Sequence, residues 1–390
     1  MNNHANAGSL SGSESVARDL SHVRRVVVKI GTRVLTGADN NIAVERIDRL
    51  ASRVNALQER GLTVVLVSSG AVGAGMGRLN LKSYPRLIPD RQAVAAVGQV
   101  RLMKMWEHAF EAFGRRVGQV LVTAEDFQNR RKYVNLQNTF ESLLRLGVVP
   151  VVNENDSVAV RELKYGDNDS LSAHVSALVG AELLVILTDI DGLYTANPKF
   201  DPAATRIPVV TEITAQMQRS TRGKGSEVSI GGMKTKLAAA ELVTGSGRSM
   251  VIASGRDCDL EGILDGRDVG TLFLPRSEGM RSRKQWIAFS SRSRGRLMVD
   301  EGACRALTLR AGSLLSSGIK EIRGAFESGD VVEIACTVDD TVFAKGVTSY
   351  NSEDLERIKG LHSSRINEVL GHAAPEEVVH KDNLVLLGGQ

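Results

Sequence analysis

Aromatic residues make up only 4% of the 390 positions, so a core must be built from Val, Leu, Ile and Ala. Cysteine is almost as scarce: Cys258, Cys304 and Cys336 are an odd set with no CxxC pair. That excludes a disulfide framework and points to a reduced, intracellular, cytoplasmic protein. The seven histidines show no HxxxH spacing, so no zinc site is expected and the metal-ligand set is empty. No apolar run approaches the roughly 18 residues of a membrane span. The N-terminal stretch to Ser21 lacks an apolar signal segment, so residues 1–21 are expected to be a disordered tail. Neither GxGxxG nor GxxxxGK[ST] occurs, which disfavours a Rossmann cofactor and a Walker nucleotide site. Ser-His-Asp and HRD-type catalytic sets are missing too.

What is present fits a globular chain, with 42% hydrophobic and 24% charged residues. At roughly 100–200 residues per domain the length predicts two or three domains. The net charge of +4 is unevenly spread: residues 291–390 hold 12 basic and 15 acidic side chains, net −3, leaving +7 for residues 1–290. An anionic small substrate favours such an excess in the larger part.

β-branched runs alternate with helical spacing. Val26–Ile30, Thr63–Val67, Val117–Val122, Val148–Val152, Leu183–Leu187 and Met250–Ala253 read as strands. Ala43–Arg60, Asn135–Leu146, Leu171–Val179 and Lys234–Val243 read as helices. The alternation predicts an α/β domain with a mostly parallel central sheet, whose ligands bind at the carboxyl ends of the strands. From Arg276 to Lys284 the chain turns polar and charged, a plausible linker. Beyond it, short strand-like runs and one helix (Ser352–Lys359) predict a small β-rich domain.

Five segments carry candidate chemistry, each with a plainer rival. Lys29-Ile30-Gly31-Thr32 can aim an ammonium at a phosphate, though a surface lysine beside a turn explains it as well. Ser68-Ser69-Gly70-Ala71-Val72-Gly73-Ala74-Gly75 can form an anion nest or only a tight turn. Asn153-Glu154-Asn155-Asp156 and Gly166-Asp167-Asn168-Asp169 suit an α-amino group and the anchoring of lysines; Asx-rich turns explain the types but not their number. Thr188-Asp189 at a strand end fits nucleotide contact or a turn. Gly231-Gly232-Met233-Lys234-Thr235-Lys236 opens a helix with a lysine that opposes the helix dipole, a small local cost that hints at an anion.

In this order the segments resemble the amino acid kinase family, over nearly the whole chain from Val26. The likeness is to members that phosphorylate the side-chain carboxylate of glutamate. It implies a three-layer sandwich over residues 22–276, a linker at 277–293, a PUA-like domain at 294–372 and a C-terminal tail at 373–390. It implies ATP and Mg²⁺ as cofactors and L-glutamate as substrate. Lys29 and Lys236 match the phosphoryl-binding lysines, and Asp169 matches the aspartate orienting them. Ser69, Asp156 and Asn168 match the glutamate-binding positions. Lys29, Thr188, Asp189 and the loop Ile230, Gly231, Gly232, Met233, Lys234, Thr235 and Lys236 match the ATP-binding segments. Family members usually carry a small residue before Gly-Gly-Met; Ile230 cannot donate a hydroxyl hydrogen bond, so contact there must come from backbone.

The resemblance also implies the first step of proline synthesis from glutamate, with proline as feedback inhibitor. A homo-oligomer (dimer or tetramer) and hand-off to glutamate-5-phosphate reductase are expected. A carboxylate, with a pKa near ~4.3, needs no general base to attack phosphorus. Rival substrates within the family are aspartate, N-acetylglutamate and UMP; the Asn-Glu-Asn-Asp segment favours a free amino group. An RNA-binding role is the rival from another class, because PUA domains usually bind RNA. The net −3 of residues 291–390 and their few aromatics make RNA an unlikely partner.

Overall fold

The computed structural model describes residues 18–37, 42–159, 168–198, 200–214, 217–218, 232–256, 259–276, 284, 287–288, 293–310 and 312–387. Eight strands form the larger sheet: β1 Arg25–Ile30, β2 Thr63–Ser68, β3 Arg116–Val122, β4 Val148–Glu154, β5 Leu183–Thr188, β6 Val209–Val210, β7 Ser249–Ser254 and β8 Thr271–Phe273. Their order is β3-β4-β2-β1-β5-β7-β8-β6. All neighbours pair in parallel except β7 and β8, which are antiparallel. β5 is buried along its whole length, which is why it reads as a continuous apolar run rather than an alternating one.

The helices of this region are α1 Thr32–Leu35, α2 Val44–Glu59, α3 Ala71–Leu79, α4 Ile88–Glu111, α5 Ala124–Gln128, α6 Arg130–Arg145, α7 Asn168–Val179, α8 Met233–Gly245 and α9 Leu260–Leu264. They cover both faces. One core joins Leu50 and Val54 of α2, Leu102 and Trp106 of α4, and Ile263 of α9 to Val26, Val28 and Ile30 of β1. The other joins Phe140 of α6, Val175 of α7 and Ala240 of α8 to Val27 of β1. Each fully buried Val, Leu or Ile contributes about 1.5–3 kcal/mol, so these two layers are the main source of stability. The period of two along β1 also decides where Lys29 goes. It shares the face of Val27 and points toward α7 and α8.

Helices α3 and α4 were not anticipated from the periodicity. They form a hairpin whose backbones nearly touch. A Cβ on Gly75 would lie 1.9 Å from the Val94 carbonyl, and one on Gly98 would lie 1.8 Å from the Ala71 carbonyl. Part of the glycine-rich run after β2 thus serves helix packing, while Gly70, at φ 105°, supplies the turn that Cβ-bearing residues avoid.

A second sheet follows, with β9 Gly295–Val299, β11 Ile319–Arg323, β12 Val331–Cys336, β13 Val342–Val347 and β15 Leu384–Leu386 in the order β11-β9-β12-β13-β15. A ribbon of β10 Leu314–Leu315 and β14 Glu377–Val379 stands beside it. Helices α10 Glu301–Arg310, α11 Ser352–Ile358 and α12 Ile366–Leu370 belong to the same region. The sheet closes its own core around Leu297, Val332, Ile334 and Ala344.

Three boundary expectations need correction. Residues 1–17 of the expected tail lie outside the described residues, but Arg18–Ser21 are folded. Leu20 is buried and Arg18 donates to the carbonyls of Pro208 and Val269. The expected tail 373–390 contains β14 and β15, with Val378, Val379 and Val385 buried; those strands pair with residues distant in sequence, so short apolar runs there carried no local signal. Within the expected linker 277–293, Ile287 and Ala288 are buried in the same core as α7 and α8; residues 277–283 lie outside the described residues.

Candidate active site

The chemistry-bearing residues gather at the carboxyl ends of the parallel strands, where open α/β sheets bind their ligands. Lys29 is the penultimate residue of β1, Ser69 follows β2, Asn153 and Glu154 end β4, and Thr188 ends β5. Asn168 and Asp169 open α7, and Lys236 stands in the first turn of α8.

The centre of the site is one fully buried carboxylate. Lys29 Nζ lies 2.6 Å from Asp169 Oδ1, and Lys236 Nζ lies 3.1 Å from Asp169 Oδ2. Thr235 Oγ1 adds a hydrogen bond to Oδ2 at 2.8 Å. All three charged side chains are at least nine-tenths buried. Burial works against ionisation of Asp169, but the Lys29 and Lys236 ammonium groups outweigh it and hold the carboxyl below the usual carboxylate range. Two buried cations on one anion leave a net positive charge in the sheet crevice, ready for an anionic ligand. Gly31 keeps the approach open: a Cβ there would lie 3.3 Å from the Leu187 carbonyl and 3.7 Å from Lys29 Nζ.

Beside this cluster lies a neutral amide group. Asn168 Nδ2 donates to Ser69 Oγ at 2.9 Å, to Asn153 Oδ1 at 3.0 Å and to the Ser68 carbonyl at 3.2 Å. Ser69 and Asn168 therefore stand together. Asp156 is half-buried in the turn just beyond β4. On the other side of β1, Thr188 donates to Asp189 at 3.1 Å, and Asp189 pairs with Arg33 of α1 at 2.8 Å. Burial tends to raise the Asp189 carboxyl, yet the bonds from Arg33 and Thr188 leave it lowered. Of the glycine loop, Gly232 caps α8, Met233 is half-buried, and Lys234 is exposed. Ile230 and Gly231 lie outside the described residues.

Residues 24–254 match the model of the amino acid kinase family, and residues 295–370 match that of the PUA domain. The chain belongs to the amino acid kinase family, on its glutamate 5-kinase branch. It is 48% identical to the glutamate 5-kinase of Syntrophotalea carbinolica, over 94% of this chain and 98% of that one. It is 47% identical to the glutamate 5-kinase of Geobacter sp. strain M21, over 94% and 99%. It is 46% identical to that of Moorella thermoacetica, over 95% and 98%.

Several side chains around these clusters were not singled out from sequence. Arg33 is exposed, so its place beside Asp189 rests on the pairing of β1 with β5 rather than on any local pattern. Gln99, in the middle of α4, accepts from Asn153 at 2.9 Å, and Trp106 Nε1 donates to Ser68 Oγ at 3.1 Å. Only a correct reading of α4 as a helix could have brought Gln99 and Trp106 to notice. Thr235, expected among the nucleotide contacts, has its hydroxyl between two acceptors, Asp169 Oδ2 at 2.8 Å and the Gly232 carbonyl at 2.7 Å, that compete for its one hydrogen. Among the described residues no three His, Cys, Asp or Glu side chains converge to hold a metal ion.

Proposed function

We infer that the chain transfers the γ-phosphoryl group of ATP to the side-chain carboxylate of L-glutamate, giving L-glutamate 5-phosphate and ADP in the first step of proline synthesis. The observation that carries this reading is the Lys29–Asp169–Lys236 cluster. It places two buried ammonium groups at the carboxyl ends of the strands, beside the amide group of Asn168, Ser69 and Asn153. A carboxylate oxygen forms the new bond to phosphorus while the bridging oxygen leaves with ADP. The nucleophile is already ionised, so the task is to bring anion to anion. Lys29 and Lys236 neutralise the transferring group, and Asp169 holds both ammonium groups in place before the substrates arrive.

Glutamate is assigned to Ser69, Asn168 and Asp156. Thr188, Asp189 and the loop from Ile230 to Lys236 are assigned to ATP, with Lys234 and backbone N–H groups at the α8 N-terminus offered to phosphate oxygens. Both Asp169 oxygens face lysines, which fits a Mg²⁺ ion carried on the nucleotide phosphates rather than in a protein cage. When bound, Mg²⁺ supplies further charge neutralisation. No described helix is long and apolar enough to cross a membrane.

Proline shares the α-amino and α-carboxylate groups of glutamate and offers no second carboxylate. Inhibition by proline competitive with glutamate follows, with Asp156 or Asn168 substitutions weakening both ligands. The acyl phosphate product carries a free amine placed for ring closure, so a reductase that consumes it promptly is the expected partner. A homo-oligomer is part of the same reading. The test measures ADP release with L-glutamate, L-aspartate, N-acetylglutamate and UMP as acceptors. Release with glutamate far above the others is expected; preference for any other acceptor overturns the assignment.

A further inference from the structure

Three hydrogen-bond acceptors surround the Asn168 amide nitrogen, which has only two hydrogens: Asn153 Oδ1, Ser69 Oγ and the Ser68 carbonyl. An amide whose nitrogen is committed inward must present its oxygen on the other side. An oxygen is what a substrate ammonium needs, since an ammonium only donates. The state of the Asn168 amide therefore decides whether the site recognises an amine.

We propose that Gln99 is a positioning residue for the glutamate site, fixing through Asn153 which end of the Asn168 amide is offered to the substrate. The inference rests on the assignment of glutamate to Asn168. Asn153 is held at both ends. Its Oδ1 accepts from the Glu154 backbone N–H at 2.9 Å and from Asn168, and its Nδ2 donates to Gln99 Oε1 at 2.9 Å. Gln99 and Asn153 are both more than nine-tenths buried. Without Gln99 the Asn153 NH₂ group is a buried donor without an acceptor, and the side chain gains by turning away from its present place.

Gln99 acts only as an acceptor in this relay, because its Nε2 is buried and has no partner among the described residues. Its helix is well anchored for the task. Gly98 brings the α4 backbone against Ala71, and Trp106, further along α4, holds Ser68. One helix thus supports two of the groups around the Asn168 amide.

The test compares glutamate with glutarate, which has the same reacting carboxylate and no amine. In Gln99→Met, KM for glutamate should rise on the order of tenfold, with KM for ATP and kcat changed by no more than about threefold. The preference for glutamate over glutarate in kcat/KM should fall by about the same tenfold. Gln99→Leu, equally without an acceptor, serves if the Met variant does not fold. Gln99→Glu keeps an acceptor oxygen and should return the preference to its wild-type value. An unchanged preference in Met and Leu variants overturns the proposal, as does an equal loss of kcat on both acceptors, which marks a purely structural role. A wild-type enzyme that does not prefer glutamate over glutarate instead overturns the assignment of glutamate to Asn168.

Discussion

Asp169 and Asp340 each hold two cations, under opposite conditions. Asp169 lies between Lys29 and Lys236 with none of its side chain exposed. Asp340, in a turn of the C-terminal domain, lies between Arg296 at 3.1 Å and Arg323 at 3.0 Å with half of its side chain in water. Both carboxyls are held below the ordinary carboxylate range, the first against the opposing effect of burial, the second chiefly by its bond to Arg323. The contacts resemble each other; the consequences do not. In water the charges are screened and the partners replaceable. In the interior each ion has lost its hydration, so each depends on the others. A folded protein keeps such a costly cluster where the field it creates has a use.

The comparison can be broken most sharply at the lysines. Lys29→Ala or Lys236→Ala should lower kcat per folded molecule by roughly a thousandfold or more, because each charge acts on the transferring group. Near-normal turnover in either variant removes that lysine from the chemistry. Asp169→Asn should destabilise the fold by about 3–5 kcal/mol at pH 7, by leaving two buried cations without a counter-charge. The folded-state pKa of Asp169 is lowered, so its contribution is present above the unfolded value of ~3.9 and fades as pH falls through the folded value. Urea denaturation of both proteins should therefore show a gap that is full at pH 7 and narrows below about pH 4; a constant gap contradicts the ionic account.

His174 sharpens the contrast within the same helix. It is buried in α7 against Phe127, and burial lowers its pKa to about 4. The unfolded chain takes up this proton near pH ~6.5 while the folded chain refuses it, so acidification from there to about pH 4 should cost about 3 kcal/mol of stability. His174→Gln should flatten that limb of the stability profile; an unaltered limb shows that other groups cause it. The smallest effect is expected at the exposed pair of contacts. Asp340→Asn keeps a residue tolerant of the positive φ found there. It should leave both the urea midpoint and turnover unchanged, and a clear shift in either gives the surface network a role that exposure argues against.

Much of this architecture is legible from local pattern. Strands β1, β2, β4, β5 and β7 announce themselves as β-branched runs, and a polar segment directly follows each of the first four, so the place of those segments at one end of the sheet follows from parallel order alone. The C-terminal strands β9, β11, β12 and β13 are equally plain, being bounded by turn residues. Less was visible where a residue's role is decided by remote neighbours. Arg18 looks like part of a polar tail until its acceptors at Pro208 and Val269 are seen. β15 is three residues long and gains its meaning by pairing with β13.

The sequence by itself determined the layered α/β framework, the small β-rich domain and the identity of the charged and amide groups, because hydrophobic period and turn chemistry act between near neighbours along the chain. Only the tertiary structure decided that the face of β1 shared by Val27 and Lys29 is the one α7 and α8 cover, that these helices bring Asp169 and Lys236 to meet Lys29, and that α4 lays Gln99 against Asn153. Those meetings depend on long-range packing of helices over the sheet, where shape and burial select among many partners that look alike in sequence.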